Sequence, residues 1–276
     1  MTLGLDKARV GSIVHRALDL GVTFFDTADL YDHGVNEELV GAALRGVRRD
    51  VVIATKVGNR WRADGSGWDW DPSARHVLQS VHDSLRRLGT DFIDLYQHHG
   101  GTIDDPFDET VDAFERLVRE GLIRAWGISS IRPNVVRRYA ARVAEGGAPH
   151  LTSEMVQYSL LDRRPEEEIL GKAHQAGLGV LVRGAVAGGL LAGKAAVGYL
   201  GLTEAEVRGA AGALPTASAA IRFVLGHPAV TTVVAGASTV EQVETNAAAA
   251  DLPPLSEAEL GALRASVRVL QYTSHR

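Results

Sequence analysis

The chain has 276 residues, with 29 lysines and arginines against 34 aspartates and glutamates, for a formal net charge of −5. That balance excludes a surface built to neutralise nucleic-acid phosphates, and 45% hydrophobic with 23% charged residues excludes wholesale disorder. With no cysteine, disulfides, thiolate metal sites and a cysteine nucleophile are excluded too.

The N-terminal stretch MTLGLDKARV puts Asp6, Lys7 and Arg9 where a signal peptide needs an apolar core. The most apolar stretch, GAVAGGLLAGKAAVGYL, is interrupted by Lys194 and diluted with glycine, so no membrane span is expected. With the lack of cysteine, this suggests a cytoplasmic protein. A helical pattern over Lys7 to Leu20 comes first. Seven short runs dominated by Val, Ile, Phe and Leu then read as buried parallel strands. They are VTFFDTA from Val22, VVIATKV from Val51, FIDLYQHH from Phe92, IRAWGISS from Ile123, LTSEMVQYS from Leu151, GVLVRGAV from Gly179 and VTTVVAGA from Val230. Their starts lie 29, 41, 31, 28, 28 and 51 residues apart. Helical patterns fill the intervals. PSARHVLQSVHDSLRRLG opens on Pro72 and Ser73 after Asp71 and closes at Gly89, and PFDETVDAFERLVREG closes at Gly121.

Strand–helix alternation at about 30 residues per unit predicts an α/β protein with a parallel sheet. A doubly wound dinucleotide fold needs G-x-G-x-x-G after its first strand, and the chain has none there. A barrel typically takes about 250 residues and tolerates long intervals. The sequence therefore predicts one (β/α)8 TIM-barrel domain over residues 1–276. Its first strand is expected to be missing or reduced to Met1–Leu5, which an upstream start and a shortened chain would explain equally well.

Barrel chemistry sits at the C-terminal ends of the strands. Asp26 and Tyr31 follow the first readable strand, Lys56 ends the second, His98 and His99 the third, and Ser129 and Ser130 the fourth. A tyrosine hydroxyl ordinarily titrates at about 10. A neighbouring ammonium favours the phenolate, and a carboxylate holds the ammonium in place. A neutral histidine can orient a carbonyl oxygen through a ring N–H. Together these groups polarise a carbonyl and protonate it, and their natural partner is a hydride donor. Taken singly, each has an ordinary reading. Asp26 can be a buried ion-pair partner, Tyr31 loop packing, Lys56 a solvated strand end, and Ser129 and Ser130 caps for a helix at Pro133. The His98–His99 pair lacks the neighbours of a ligand set, so no metal is expected.

In their order, these segments resemble the aldo-keto reductase family. GVTFFDTADLY, ATKVG, DFIDLYQHHG, VREGLIRAWGISS, VQYSLLDR, GGLLAGK and VAGASTVEQVETN match it from about Gly21 to Leu260. The resemblance implies a catalytic tetrad of Asp26, Tyr31, Lys56 and His99. Tyr31 would protonate the carbonyl as hydride arrives from a reduced nicotinamide, with Lys56 and Asp26 tuning the phenol and His99 orienting the substrate. His98, adjacent on its strand, would face the other side.

For the cofactor, the resemblance implies Ser129 and Ser130 at the carboxamide, with Gln157 close to a family glutamine position that holds Met155 here. Arg183 takes the place of an aromatic ring that stacks on the nicotinamide, and its planar guanidinium can stack instead. Gly189, Leu190, Gly193 and Lys194 would follow the pyrophosphate. Ser238, Gln242 and Asn246 would meet the adenosine-phosphate end, where a helix N-terminus suits an anion. The implied cofactor is NADP(H), with NAD(H) as the alternative because an arginine common at the Ser238 position is absent. GGLLAGKA also nearly matches a triphosphate-binding loop, but Ala195 replaces the hydroxyl residue that such a loop needs.

The segment from Gly58 to Asp71 holds Trp61, Trp68 and Trp70, three of the four tryptophans. It reads either as a loop anchored by packing or as an aromatic wall over an apolar or aromatic carbonyl substrate. The expected activity is NADP(H)-dependent reduction of a small aldehyde or ketone by direct hydride transfer. Two alternatives stand beside it. One is a Schiff-base aldolase using Lys56. The other is a non-catalytic nicotinamide sensor similar to the beta subunits of voltage-gated potassium channels.

Overall fold

In the computed structural model, which describes residues 6–214 and 216–276, the seven apolar runs and one short hairpin form nine strands. They are β1 (Phe24–Asp26), β2 (Val52–Val57), β3 (Asn59–Trp61), β4 (Trp68–Trp70), β5 (Ile93–His99), β6 (Ile123–Ser129), β7 (Leu151–Gln157), β8 (Gly179–Arg183) and β9 (Val230–Val234). Seven of them make one parallel sheet in the order β1-β2-β5-β6-β7-β8-β9. The helices are α1 (Lys7–Asp19), α2 (Val35–Leu44), α3 (Ala74–Leu88), α4 (Phe107–Arg119), α5 (Pro133–Ala144), α6 (Ile169–Gln175), α7 (Glu204–Ala213), α8 (Ala217–Leu225), α9 (Val240–Ala248) and α10 (Glu257–Ala265). This is the (β/α)8 barrel architecture. Among the described residues β1 and β9 each pair on one side only, which leaves the place of an eighth strand between them. The stretch Met1–Leu5, expected to hold a remnant of it, lies outside the described residues.

Side-chain alternation along the strands divides the core in two. Inward-facing Ala54, Leu95, Met155 and Leu181 form a small cluster inside the barrel. Outward-facing Ile53, Val57, Tyr96, Ile128, Val156 and Val182 join the larger layer beneath the helices. The same alternation turns Lys56, Gln97 and His99 toward the barrel axis. Strand register sets their heights: Lys56 lies opposite Gln97, His99 opposite Ser129, and Gln157 opposite Arg183.

The helices follow their sequence signals. The Ser73 hydroxyl caps α3 by accepting from the His76 amide at 3.2 Å, and Gly89 ends the helix with φ 63. Between these ends Val77, Val81, Leu85 and Leu88 fall on one buried face, and each contributes about 1.5–3 kcal/mol relative to exposure. No helix among the described residues is long and apolar enough to cross a membrane.

One expectation needs correction. The tryptophan-rich segment contains the antiparallel β3–β4 hairpin, with Asn59 opposite Trp70 and Trp61 opposite Trp68. The Asp64-Gly65-Ser66-Gly67 turn lets the chain reverse, and Arg62 donates to Asp69 across it at 2.9 Å.

Candidate active site

At the C-terminal rim, the inward-facing residues of β1, β2 and β5 converge. Lys56 is fully buried. Its Nζ donates to Asp26 Oδ2 at 2.5 Å and to the Thr27 carbonyl at 2.8 Å. Gln97 Nε2 donates to Asp26 Oδ1 at 3.1 Å, so both carboxylate oxygens are engaged. A buried ammonium is tolerated only with a close, well-bonded counter-charge, and Asp26 supplies one. The Lys56 ammonium lies 5.1 Å from the centre of the Tyr31 ring. That ring stands edge-on to His99, with centroids 6.3 Å apart and planes at 88°. The four residues therefore meet at one place on the rim.

Burial, followed by the Lys56 and Arg183 cations, pushes His99 down to about 3. Its ring is neutral near pH 7, and its buried Nδ1 has no hydrogen-bond partner among the described residues. His98 faces the other way, as strand alternation requires. Its Nδ1 lies 3.1 Å from the Tyr139 hydroxyl, and its ring packs 4.9 Å from Trp70. Burial pushes it down to about 4.

Tyr31 begins a short turn, Tyr31–Gly34, in which Asp32, His33 and Gly34 adopt left-handed φ values of 50, 55 and 88. The His33 ring stacks on Trp61 at 3.9 Å, and Trp61 Nε1 donates to the Leu30 carbonyl at 3.3 Å. Trp61 thus stands beside the Tyr31 turn. Trp70 is instead an anchor. Its Nε1 donates to Asp105 at 2.9 Å, and its ring fills the space where a Cβ on Gly58 or Gly100 would sit. Trp68 is 50% exposed. By register Trp61 and Trp68 stand opposite each other on one face of the hairpin. Nothing in the chain pattern singles out His33 for this stacking, because a histidine in a polar turn carries no periodic signal.

The opposite arc of the rim is more open. Ser129 and Ser130 are buried at the end of β6, and the Ser130 hydroxyl accepts from the Arg132 amide at 3.2 Å just before α5. Met155 lies inside the barrel. Arg183 donates to Gln157 Oε1 at 2.9 Å, while Gln157 Nε2 donates to Asp162 at 2.9 Å and to the Tyr199 hydroxyl at 3.2 Å. Gly184, Gly188, Gly189 and Gly193 all take left-handed φ values, so the loop after β8 presents bare backbone. Leu190 is buried beneath this loop, and exposed Lys194 folds back to donate to the Gly188 carbonyl at 2.8 Å. Near the start of α9, Gln242 Oε1 accepts from both the amide and the hydroxyl of Ser238, at 2.7 and 3.0 Å. Asn246 Nδ2 donates to the Gly236 carbonyl at 3.4 Å. Arg9 of α1, a residue the sequence did not single out, donates from Nε to the Ser238 carbonyl at 2.8 Å and again from its terminal nitrogen. This arc combines exposed glycine backbone, three cationic side chains and a helix start, all of which suit an elongated anion.

Known proteins resemble this chain in sequence and in fold. The model of the aldo/keto reductase family matches residues 2–268. The chain is 44% identical over 293 residues to the uncharacterized oxidoreductase YqkF of Bacillus subtilis (strain 168), covering 100% of this chain and 93% of that protein. It is 33% identical over 272 residues to the uncharacterized oxidoreductase YrpG of the same organism, covering 90% and 83%. Among solved structures, the holo form of aldo-keto reductase AKR11C1 from Bacillus halodurans superposes with a TM-score of 0.92 at 46% identity, covering 100% of this chain and 93% of that one. Glycerol dehydrogenase AKR11B4 from Gluconobacter oxydans superposes with a TM-score of 0.81 at 27% identity, covering 93% and 84%.

Proposed function

Given that the chain belongs to the aldo/keto reductase family, we propose that it reduces a small aldehyde or ketone to the alcohol with NADP(H), as a single cytoplasmic barrel unit over residues 1–276. Its oxidoreductase relatives support redox chemistry in general. The finer assignment rests on one observation: a buried Lys56–Asp26 pair lies beside the Tyr31 ring, and neutral His99 stands edge-on to that ring.

When bound, the reduced nicotinamide supplies the hydride. The chain does the rest. His99 holds the carbonyl oxygen through a ring N–H, and the Tyr31 hydroxyl gives that oxygen its proton. Lys56 keeps a fixed positive charge beside the phenol as negative charge develops on it, and Asp26 and Gln97 hold Lys56 in place. The open arc fits the cofactor. Arg183 and Gln157 with Ser129 and Ser130 would lie at the nicotinamide end, and Gly189, Leu190, Gly193 and Lys194 along the pyrophosphate. Ser238, Gln242 and Asn246 would take the adenosine end. There Arg9 brings a guanidinium to the place where position 238 itself has none, which favours NADP(H) over NAD(H). Trp61 and His33 form the aromatic side of the substrate entrance, with Trp68 opposite Trp61 on the same hairpin.

Two observations disfavour the rivals. A Schiff-base lysine attacks as the free amine, whereas Lys56 is gripped by a carboxylate and a carbonyl. A nicotinamide sensor needs only the open arc, yet the chain also carries the complete proton-handling set. The test is NADPH absorbance across a panel of aldehydes. Aldehyde-dependent loss of absorbance is expected. Cofactor binding without turnover, or substrate trapped on Lys56 by borohydride, would overturn the assignment.

A further inference from the structure

Directly behind the tetrad lies a second buried charged cluster that the reaction scheme leaves unused. Glu37, in the first turn of α2, is fully buried. Its Oε2 accepts from Arg87 Nε at 2.6 Å and its Oε1 from the Thr55 hydroxyl at 2.6 Å. Arg87, in the last turn of α3, also donates to the Ser84 hydroxyl at 3.3 Å. Thr55 immediately precedes Lys56 on β2 and points to the opposite face of the strand. Asn36, next to Glu37, accepts from the Thr27 hydroxyl at 2.7 Å. Thr27 follows Asp26, and its carbonyl takes the second hydrogen bond of Lys56. The chain neighbours of Lys56 and Asp26 are thus both tied to the start of α2.

The start of α2 is also where the Tyr31 turn ends. Asp32 and His33 occupy the left-handed region, which non-glycine residues adopt only when their surroundings over-determine them. Arg87 supplies such a constraint. Its side chain runs against Gly34, where an added Cβ would fall 2.7 Å from Cδ and Nε. Arg87 therefore braces the turn while its guanidinium holds Glu37.

We propose that the buried Glu37–Arg87 pair, anchored to β2 through Thr55, is the positioning device of the site, fixing the Tyr31 turn against the strand that carries Lys56. This rests on Tyr31 being the proton donor. For stability alone, well-packed apolar side chains would serve as well as a buried ion pair. The pair instead spans three elements, α2, α3 and β2, and the parts it joins carry two of the four reacting groups. Asp29, eight residues before Glu37 and bonded through its amide to the Lys56 carbonyl at 3.4 Å, belongs to the same cluster. Burial, reinforced by Glu37, raises it to about 8.

The test is single-turnover oxidation of preloaded NADPH by saturating aldehyde in Glu37→Gln, Thr55→Val and Tyr31→Phe. Amplitude counts competent sites, and the rate constant reads their geometry. Glu37→Gln is expected to slow the rate constant by about 10–100-fold, the scale of a misplaced catalytic group, while cofactor Kd stays within about threefold. Thr55→Val, which keeps the side-chain shape and removes one hydrogen bond, should slow it severalfold. A merely structural role would lower amplitude and melting temperature and leave the rate constant at its wild-type value, and that result overturns the proposal. If Glu37→Gln does not fold, an unchanged rate constant in Thr55→Val overturns it equally. A wild-type rate in Tyr31→Phe would instead refute the proton-donor assignment. An inactive Tyr31→Phe beside a wild-type rate in Glu37→Gln would refute the positioning role alone.

Discussion

The two arcs of the rim are built differently. On the β1–β2–β5 side the charged groups are sealed in: the side chains of Lys56 and Asp26 are 1% and 7% exposed, and each is bonded to fixed partners. On the β7–β9 side Lys194 and Gln242 are exposed, and the polar groups bond to neighbouring backbone or to one another. The contrast suits the task proposed for each arc. A proton donor needs its electrostatic surroundings set before the substrate arrives, since reorganisation during reaction adds to the barrier. A site for a long, flexible anion needs accessible donors that can exchange their partners for the ligand.

The sharpest way to break this division is Lys56→Met. It should lower kcat by about 10³-fold, within the range for losing a proton-transfer device, while NADPH Kd changes only a few-fold. Parallel losses in rate and binding would show that the two arcs are not separate. The variant should also melt at lower temperature, because Asp26 is left as an uncompensated buried charge.

A second effect concerns pH. Asp29 has a folded-state value raised to about 8 from an ordinary 3.8. The folded protein therefore holds this proton more tightly than the unfolded chain does. The associated stability is complete below about pH 4 and is lost as pH rises through about 8. Asp29→Asn has no proton to lose, so its urea midpoint should gain on the wild type between pH 5 and pH 9. A constant difference across that range would contradict the burial of an acid beside the proton-handling arc.

The smallest effect belongs to the open arc. Arg9→Ala should weaken NADPH binding by about tenfold, the loss of one charge-assisted contact, and leave NADH binding nearly unchanged. Equal losses for both cofactors would remove Arg9 from phosphate recognition and reduce it to a bond to Ser238.

In the closed arc, the motif order that resembles the aldo-keto reductase family singled out Asp26, Tyr31, Lys56 and His99, and strand alternation set His98 apart from them. In FIDLYQHH, alternation separates His99 from His98, and in the structure His98 meets Tyr139 while His99 meets Tyr31. Gln97 was not singled out, since a glutamine within a strand has no distinguishing pattern until its register partner is known. The Glu37–Arg87 pair was invisible for a different reason. The two residues lie 50 apart, each on a helix where a charged residue ordinarily faces solvent. Arg9 and Ser238 lie 229 residues apart, and only barrel curvature brings α1 to the start of α9. The β3–β4 hairpin escaped because three-residue strands fall below the length at which alternation can be recognised.

The most direct measurement is a paired cofactor titration and turnover assay on Tyr31→Phe. The prediction is NADPH affinity within about threefold of wild type and aldehyde reduction at least about 10²-fold slower. Undiminished reduction by a protein that lacks this one hydroxyl would contradict the central claim that Tyr31, beside Lys56, delivers the proton.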